Sequence, residues 1–188
     1  ATTKNRRINL DFFQEGNLVQ LYVADENALR QPDGLKPRAQ LCVPKDFRDA
    51  NQWIENPAFL KADYDNFISK FSSIIEGLLE KAEGKSPIME TLIRISNSES
   101  FQKHPNVSHN IFIVSDMIQN SDNWTHYPNN KNQGPNWDKF STQMAGSVYM
   151  RPRLNQVQVQ VFYAKRLGDR EKSIQKRSHV EFWEEFFF

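Results

Sequence analysis

Residues 109–122 read HNIFIVSDMIQNSD. An apolar run rich in strand formers stops at Ser115-Asp116, and the chain then turns polar. Continuous apolar strands of this kind are typical of parallel sheets flanked by helices, where both faces of the strand are buried. Ligands of such sheets sit beyond the carboxyl ends of the strands. The stretch therefore predicts a nearly continuous apolar strand over HNIFIVSD, residues 109–116, and places Asp116 at the rim where a ligand would be met.

Working outward, QVQVQVFYA alternates strictly. It predicts a strand over 156–164 with Val157, Val159 and Val161 on one face. LVQLYVA and AQLCV predict strands over 18–24 and 39–43, with Pro44 closing the second. A helix is expected over 2–14, carried by Ile8, Phe12 and Phe13 and stopped by Gly16. The longest helix should start at Pro57 behind an Asn56 cap and stop at Gly84. Phe67, Phe71, Ile74, Leu78 and Ala82 form its stripe, with Ile68, Ile75 and Leu79 beside it. SPIMETLIRIS predicts a helix capped by Ser86, with Ile88, Leu92 and Ile95 on one face. NWDKFSTQMAG predicts a short helix. SIQKRSHVEFWEEFFF predicts a final one burying Ile174, Val180, Trp183 and Phe187, after a charged loop over 165–172. Residues 45–56 read as irregular with a turn near Phe47, and 119–137 as a long loop rich in Asn, Gly and Pro.

The order is α β β α α β α β α. It predicts an α/β fold of three layers, Rossmann-like, with a mainly parallel sheet flanked by helices. The 188 residues carry 12% aromatics and 38% apolar residues, enough to bury a core. A formal net charge of +1 argues against a dedicated nucleic-acid binder. The single cysteine, Cys42, excludes an internal disulfide or a Cys-based zinc cluster and reads as a buried small apolar residue. No apolar run approaches the roughly 18 residues of a membrane span. His104, His109, His126 and His179 show no metal spacing and read as surface or loop residues. No GxSxG, Walker loop or GxGxxG occurs.

At the rim, Asp116 has two readings: a cap on the loop after its strand, or an oxygen ligand. A carboxylate with nearby hydroxyls suits a hard cation such as Mg²⁺. Ser86 is a helix cap in either case. Ser115, Asn120, Asp122 and Trp124 flank the acid as residues that would support it or touch a partner. Trp124, Tyr127 and Trp137 would either form a contact patch or fold the loop onto its own domain. The segments YMRPR and KRLGDREKSIQKR concentrate basic charge, which reads first as solvated loop charge and second as a phosphate-binding patch.

The segments KSPIMETLIRIS and NIFIVSDMIQNS, followed by QVQVQVFYAKR and EFWEEFF, resemble a von Willebrand factor A-type domain, and in particular a group of bacterial proteins that carry one. The resemblance spans nearly the whole chain. It implies a single domain over 1–188 that lacks the family's first strand and its motif, Asp-x-Ser-x-Ser or something like Asp-x-Thr-Asp, either cut off before Ala1 or lost from this version. It also implies that Asp116 and Ser86 belong to a metal-ion-dependent adhesion site for Mg²⁺ or Mn²⁺, incomplete in this chain. A Glu or Asp of a protein partner would fill the open position. The expected function is thus a non-enzymatic protein-interaction module. The alternatives are a metal-dependent hydrolase or nuclease on an α/β scaffold, or a structural subunit with a degenerate metal site. A hydrolase needs a fuller set of carboxylates than the one acid placed here.

Overall fold

A computed structural model describes residues 13–26, 30, 35–51, 53–79, 84–102, 108–128, 134–148 and 150–188. Residues 2–12 of the helix expected over 2–14, and Ala82, lie outside them; Phe13 and Gln14 are described and are not helical. The chain forms two compact units: residues 1–23 with 37–82, and residues 24–36 with 83–188.

In the first unit, β1 (Leu18–Leu21) pairs antiparallel with β2 (Ala39–Cys42), Leu18 opposite Cys42 and Leu21 opposite Ala39. These two strands were expected in the parallel sheet; they make a separate antiparallel ribbon instead. Gly16, at φ +79, supplies the left-handed turn that starts it, and its N–H reaches the Val43 carbonyl at 2.9 Å. Cys42 points outward and is exposed, because alternation along β2 puts its neighbours Leu41 and Val43 on the other side. After a 3-10 turn at Phe47–Asp49 comes α1 (Pro57–Leu79). Asn56 caps it as expected, its Oδ1 accepting from the Ala58 N–H at 3.0 Å. Phe67 is buried, stacked on Phe71, and meets the edge of Phe13.

The second unit holds α2 (Ile88–Ser96), α3 (Glu99–Gln102), β3 (His109–Ser115), α4 (Trp137–Gln143), β4 (Val157–Tyr163), α5 (Asp169–Ile174) and α6 (Arg177–Phe187). β3 and β4 are parallel and in register, from His109 opposite Val157 to Ser115 opposite Tyr163. The expected parallel pairing is therefore present, as a pair of strands among helices. One core packs Ile88, Met89, Leu92 and Ile93 of α2 with Met117, Trp124, Phe140 and Met144, and with Phe182, Trp183 and Phe186 of α6. Ile111, Ile113 and Tyr163 press on it from the strands. The other face of the pair stays open, with Val114 66% exposed. β3 is thus buried on one face, where its unbroken apolar run predicts two.

The expected final helix is broken at Gln175-Lys176, and its first turns begin earlier, at Asp169. Ile174 and Trp183 are buried as expected, but Val180 is exposed and Phe187 only half-buried. The break rotates α6 so that His179, Phe182, Trp183 and Phe186 form its inward stripe. No helix among the described residues is long and apolar enough to cross a membrane.

Candidate functional site at the ends of the parallel strands

Because β3 and β4 are parallel, their carboxyl ends emerge at one edge. Asp116 follows β3 there, and Arg166 follows β4. The Asp116 side chain, 12% exposed, splits its work. Its Oδ1 accepts from the Ile118 N–H at 3.0 Å, closing the turn, and its Oδ2 accepts from Arg166 Nε at 2.6 Å. The carboxylate raises the pKa of the guanidinium. Gln175 ties the two strand ends together. Its Nε2 donates to the Asp116 and Ala164 carbonyls at 3.0 and 2.9 Å, and its Oε1 accepts from the Arg166 N–H at 2.8 Å. Beside this pair, Arg170 lies over the Tyr127 ring at 4.4 Å. The Tyr127 phenol titrates above its usual range, first because of burial and then because of Glu171 and Asp116.

The turn beyond Asp116 is held from below. Met117 adopts φ +58, a left-handed conformation that costs an L-residue with a side chain about 1–2 kcal/mol. Its carbonyl accepts from Trp183 Nε1 at 2.8 Å and from His179 Nε2 at 2.9 Å. Ser115 Oγ accepts from the Met117 N–H at 3.0 Å. The expected role of Ser115 beside a ligand is thus taken by a turn bond.

His126 and His179, expected at the surface, are both fully buried. The amide of Gln119 donates to His126 Nδ1 at 3.3 Å, so the proton of neutral His126 sits on Nε2. His179 gives its Nε2 proton toward the Met117 carbonyl and reaches His126 Nδ1 at 3.0 Å. Its Nδ1 then accepts from the Tyr163 hydroxyl at 2.7 Å. Desolvation lowers both imidazole pKa values, that of His126 well below the ordinary range, with His179 adding to the effect. Burial also raises the Tyr163 phenol.

Ser86 does not cap α2. Pro87 occupies the cap position without a side-chain bond, and the orphan Met89 N–H donates to Gln119 Oε1 at 3.0 Å. The cap is therefore supplied from across the site. Gln119 Nε2 in turn donates to Glu90 Oε2 at 2.8 Å, while Glu90 Oε1 accepts from Ser121 Oγ at 2.5 Å and Asn123 Nδ2 at 3.0 Å. Glu90 is 3% exposed, a buried carboxylate satisfied by neutral donors in the first turn of its helix, where negative charge is favoured.

Ser86 instead forms a two-way backbone bridge with Asn120, both bonds 2.9 Å. The start of α2 and the loop after β3 do converge, but through Asn120. The Asn120 side chain accepts from Thr125 Oγ1 at 3.1 Å and donates to the Gly84 carbonyl at 3.1 Å. Asp122 pairs with Lys85 at 2.8 Å, which lowers the pKa of its exposed carboxyl. Trp124 is buried and its Nε1 donates to the Gly134 carbonyl at 3.2 Å, so it folds the loop onto its own unit. Trp137 packs on Phe140 and Phe182. No hydrogen bond or ion pair joins Ser86 to Asp116.

Among the described residues no group of three His, Cys, Asp or Glu side chains could hold a metal ion. The oxygen of Asp116 not used in the turn faces a guanidinium. An ion there would compete with Arg166 for the Asp116 carboxylate. Glu90, Gln119, Arg166, Gln175, His126 and His179 were not singled out as site residues by the sequence. The one signal for Glu90 is an acid in the first turn of an apolar helix, and for His179 its i,i+4 spacing to Trp183. Comparison with known proteins finds no family, curated protein or solved structure that matches the chain.

Proposed function

We propose that the chain is a non-enzymatic protein-interaction module that meets its partner at the rim formed by the carboxyl ends of β3 and β4. The observation that supports this best is the Asp116–Arg166 pair. Two in-register parallel strands deliver one charge each to the same edge, and Gln175 fixes the separation. A rim at this place is where open α/β sheets bind. A pre-set ion pair at a surface gives orientation and specificity to a contact more than raw affinity.

The test is affinity capture from a native extract with wild type, Asp116→Asn and Arg166→Ala in parallel. Asn keeps an oxygen for the Ile118 amide, so the turn is retained. A protein held by the wild type and lost from both variants, with unchanged melting, is the expected result. Equal retention by the variants, or turnover of a phosphoester by the purified chain, overturns the proposal. Mg²⁺ or Mn²⁺ enters as a competitor of Arg166. Calorimetric heat from Arg166→Ala and none from the wild type would support a latent ion position at Asp116.

A further inference from the structure

Residues 165–177 hold six basic and two acidic side chains, a formal +4 in a chain whose total is +1. The rest of the protein is therefore net negative, and this segment carries a local excess of positive charge. All six basic residues, Lys165, Arg166, Arg170, Lys172, Lys176 and Arg177, are exposed. Lys165 and Lys176 form no ion pair among the described residues, and Arg177 meets only the exposed Glu181 at 2.7 Å.

The segment is also rigidly placed. Gln175 bonds three backbone groups of the two strand exits, and Ile174, 3% exposed, anchors α5 in the unit. Arg166 and Arg170 are held by Asp116 and by the Tyr127 ring. Ordering such a surface on binding has largely been done in the free protein, which lowers the cost of association. Leu167, 85% exposed, stands in the middle of the basic run.

We infer that this rim docks an acidic peptide segment of a protein partner, with Leu167 as the apolar contact among the basic side chains. The inference rests on the rim being the contact surface and adds the chemistry of what it meets. Asp169 and Glu171 interrupt the basic run, and Glu181 stands beside its end against Arg177. A continuous phosphate backbone would meet repulsion at each of them, whereas a folded or extended peptide can place its own charges around them. One exposed leucine gives little insertion into a bilayer.

The experiment uses the whole chain and dye-labelled synthetic peptides: one rich in Glu and Asp with a single Leu, one of equal length rich in Lys. A single-stranded oligonucleotide and vesicles containing anionic lipid are run beside them. Anisotropy should show binding of the acidic peptide alone. Affinity should fall at least about tenfold in Lys165→Glu/Lys176→Glu and at raised salt, and a few-fold in Leu167→Ser. Melting curves check that these surface variants are folded. No binding of the acidic peptide overturns the inference. So does equal binding by the oligonucleotide or vesicles, which would mark a generic polyanion surface, or binding indifferent to charge reversal. If the acidic peptide fails while capture sensitive to Asp116→Asn persists, only the partner chemistry falls. If both fail, the rim itself is not the contact surface.

Discussion

β3 and β4 run side by side over seven residues each, yet the chain leaves them in opposite ways. Beyond β3, residues 115–119 bend inward, and their polar groups are taken by Ser115, Asp116, His126, His179 and Trp183. Beyond β4, residues 164–168 stay outside, carry charge, and are tied down by Gln175 and by the Asp116–Arg166 pair. The first exit is an over-determined turn that tolerates a left-handed Met117. The second is a presented surface held by two side-chain ties. Support and display are thus divided between neighbouring strands.

The comparison breaks most decisively at Trp183. Trp183→Ala removes a buried aromatic and the better donor to the Met117 carbonyl, and should cost about 3–5 kcal/mol in urea unfolding followed by Trp124 and Trp137 fluorescence. A loss of under about 1 kcal/mol would mean that the turn stands without α6.

Acid is the next way in. His126 and His179 have pKa values below their unfolded ones, so the unfolded chain takes up protons first as pH falls. Their contribution is intact above the unfolded histidine value of about 6.5 and is lost progressively below it. His126, Tyr163 and Asp116 are the titratable groups facing His179, and Asp116 opposes the shift. The urea midpoint should therefore drop from neutral pH toward pH of about 5, and His126→Gln should flatten that slope.

On the other side of the comparison the effects are smaller. Gln175→Ala frees three backbone groups near solvent. It should cost about 1 kcal/mol while sharply raising amide exchange over residues 164–168 and leaving the turn after β3 protected. Arg177→Ala, which touches only an exposed acid, should leave the urea midpoint unchanged. A clear loss there would show that the basic rim is structural.

The local elements could be read because their signals are local. Asn56 caps α1, the Val-Gln alternation marks β4, and the apolar run marks β3. What could not be read depends on partners distant in sequence. β1 and β2 alternate as strands do, but nothing in them says whether they join β3 and β4 or pair alone. Ser86, with Pro87 behind it, reads as a cap, and the cap came from Gln119, about thirty residues away. His126 and His179 lack any spacing motif because their meeting is made by the fold. Asp116 was correctly placed at the tip of its strand. Its companion there is Arg166, fifty residues later.

One carbonyl sets a timetable. The oxygen of Met117 waits for side chains 62 and 66 positions downstream. As a nascent chain emerges, β3 can acquire its sequence and its apolar face long before α6 exists. Until α6 arrives, that corner has only the local bonds from Ser115 and Asp116 to hold its left-handed bend. Contacts of such separation form slowly. The part of the molecule that looks most settled in the finished fold is thus among the last to be completed, and quality-control factors would encounter it unfinished.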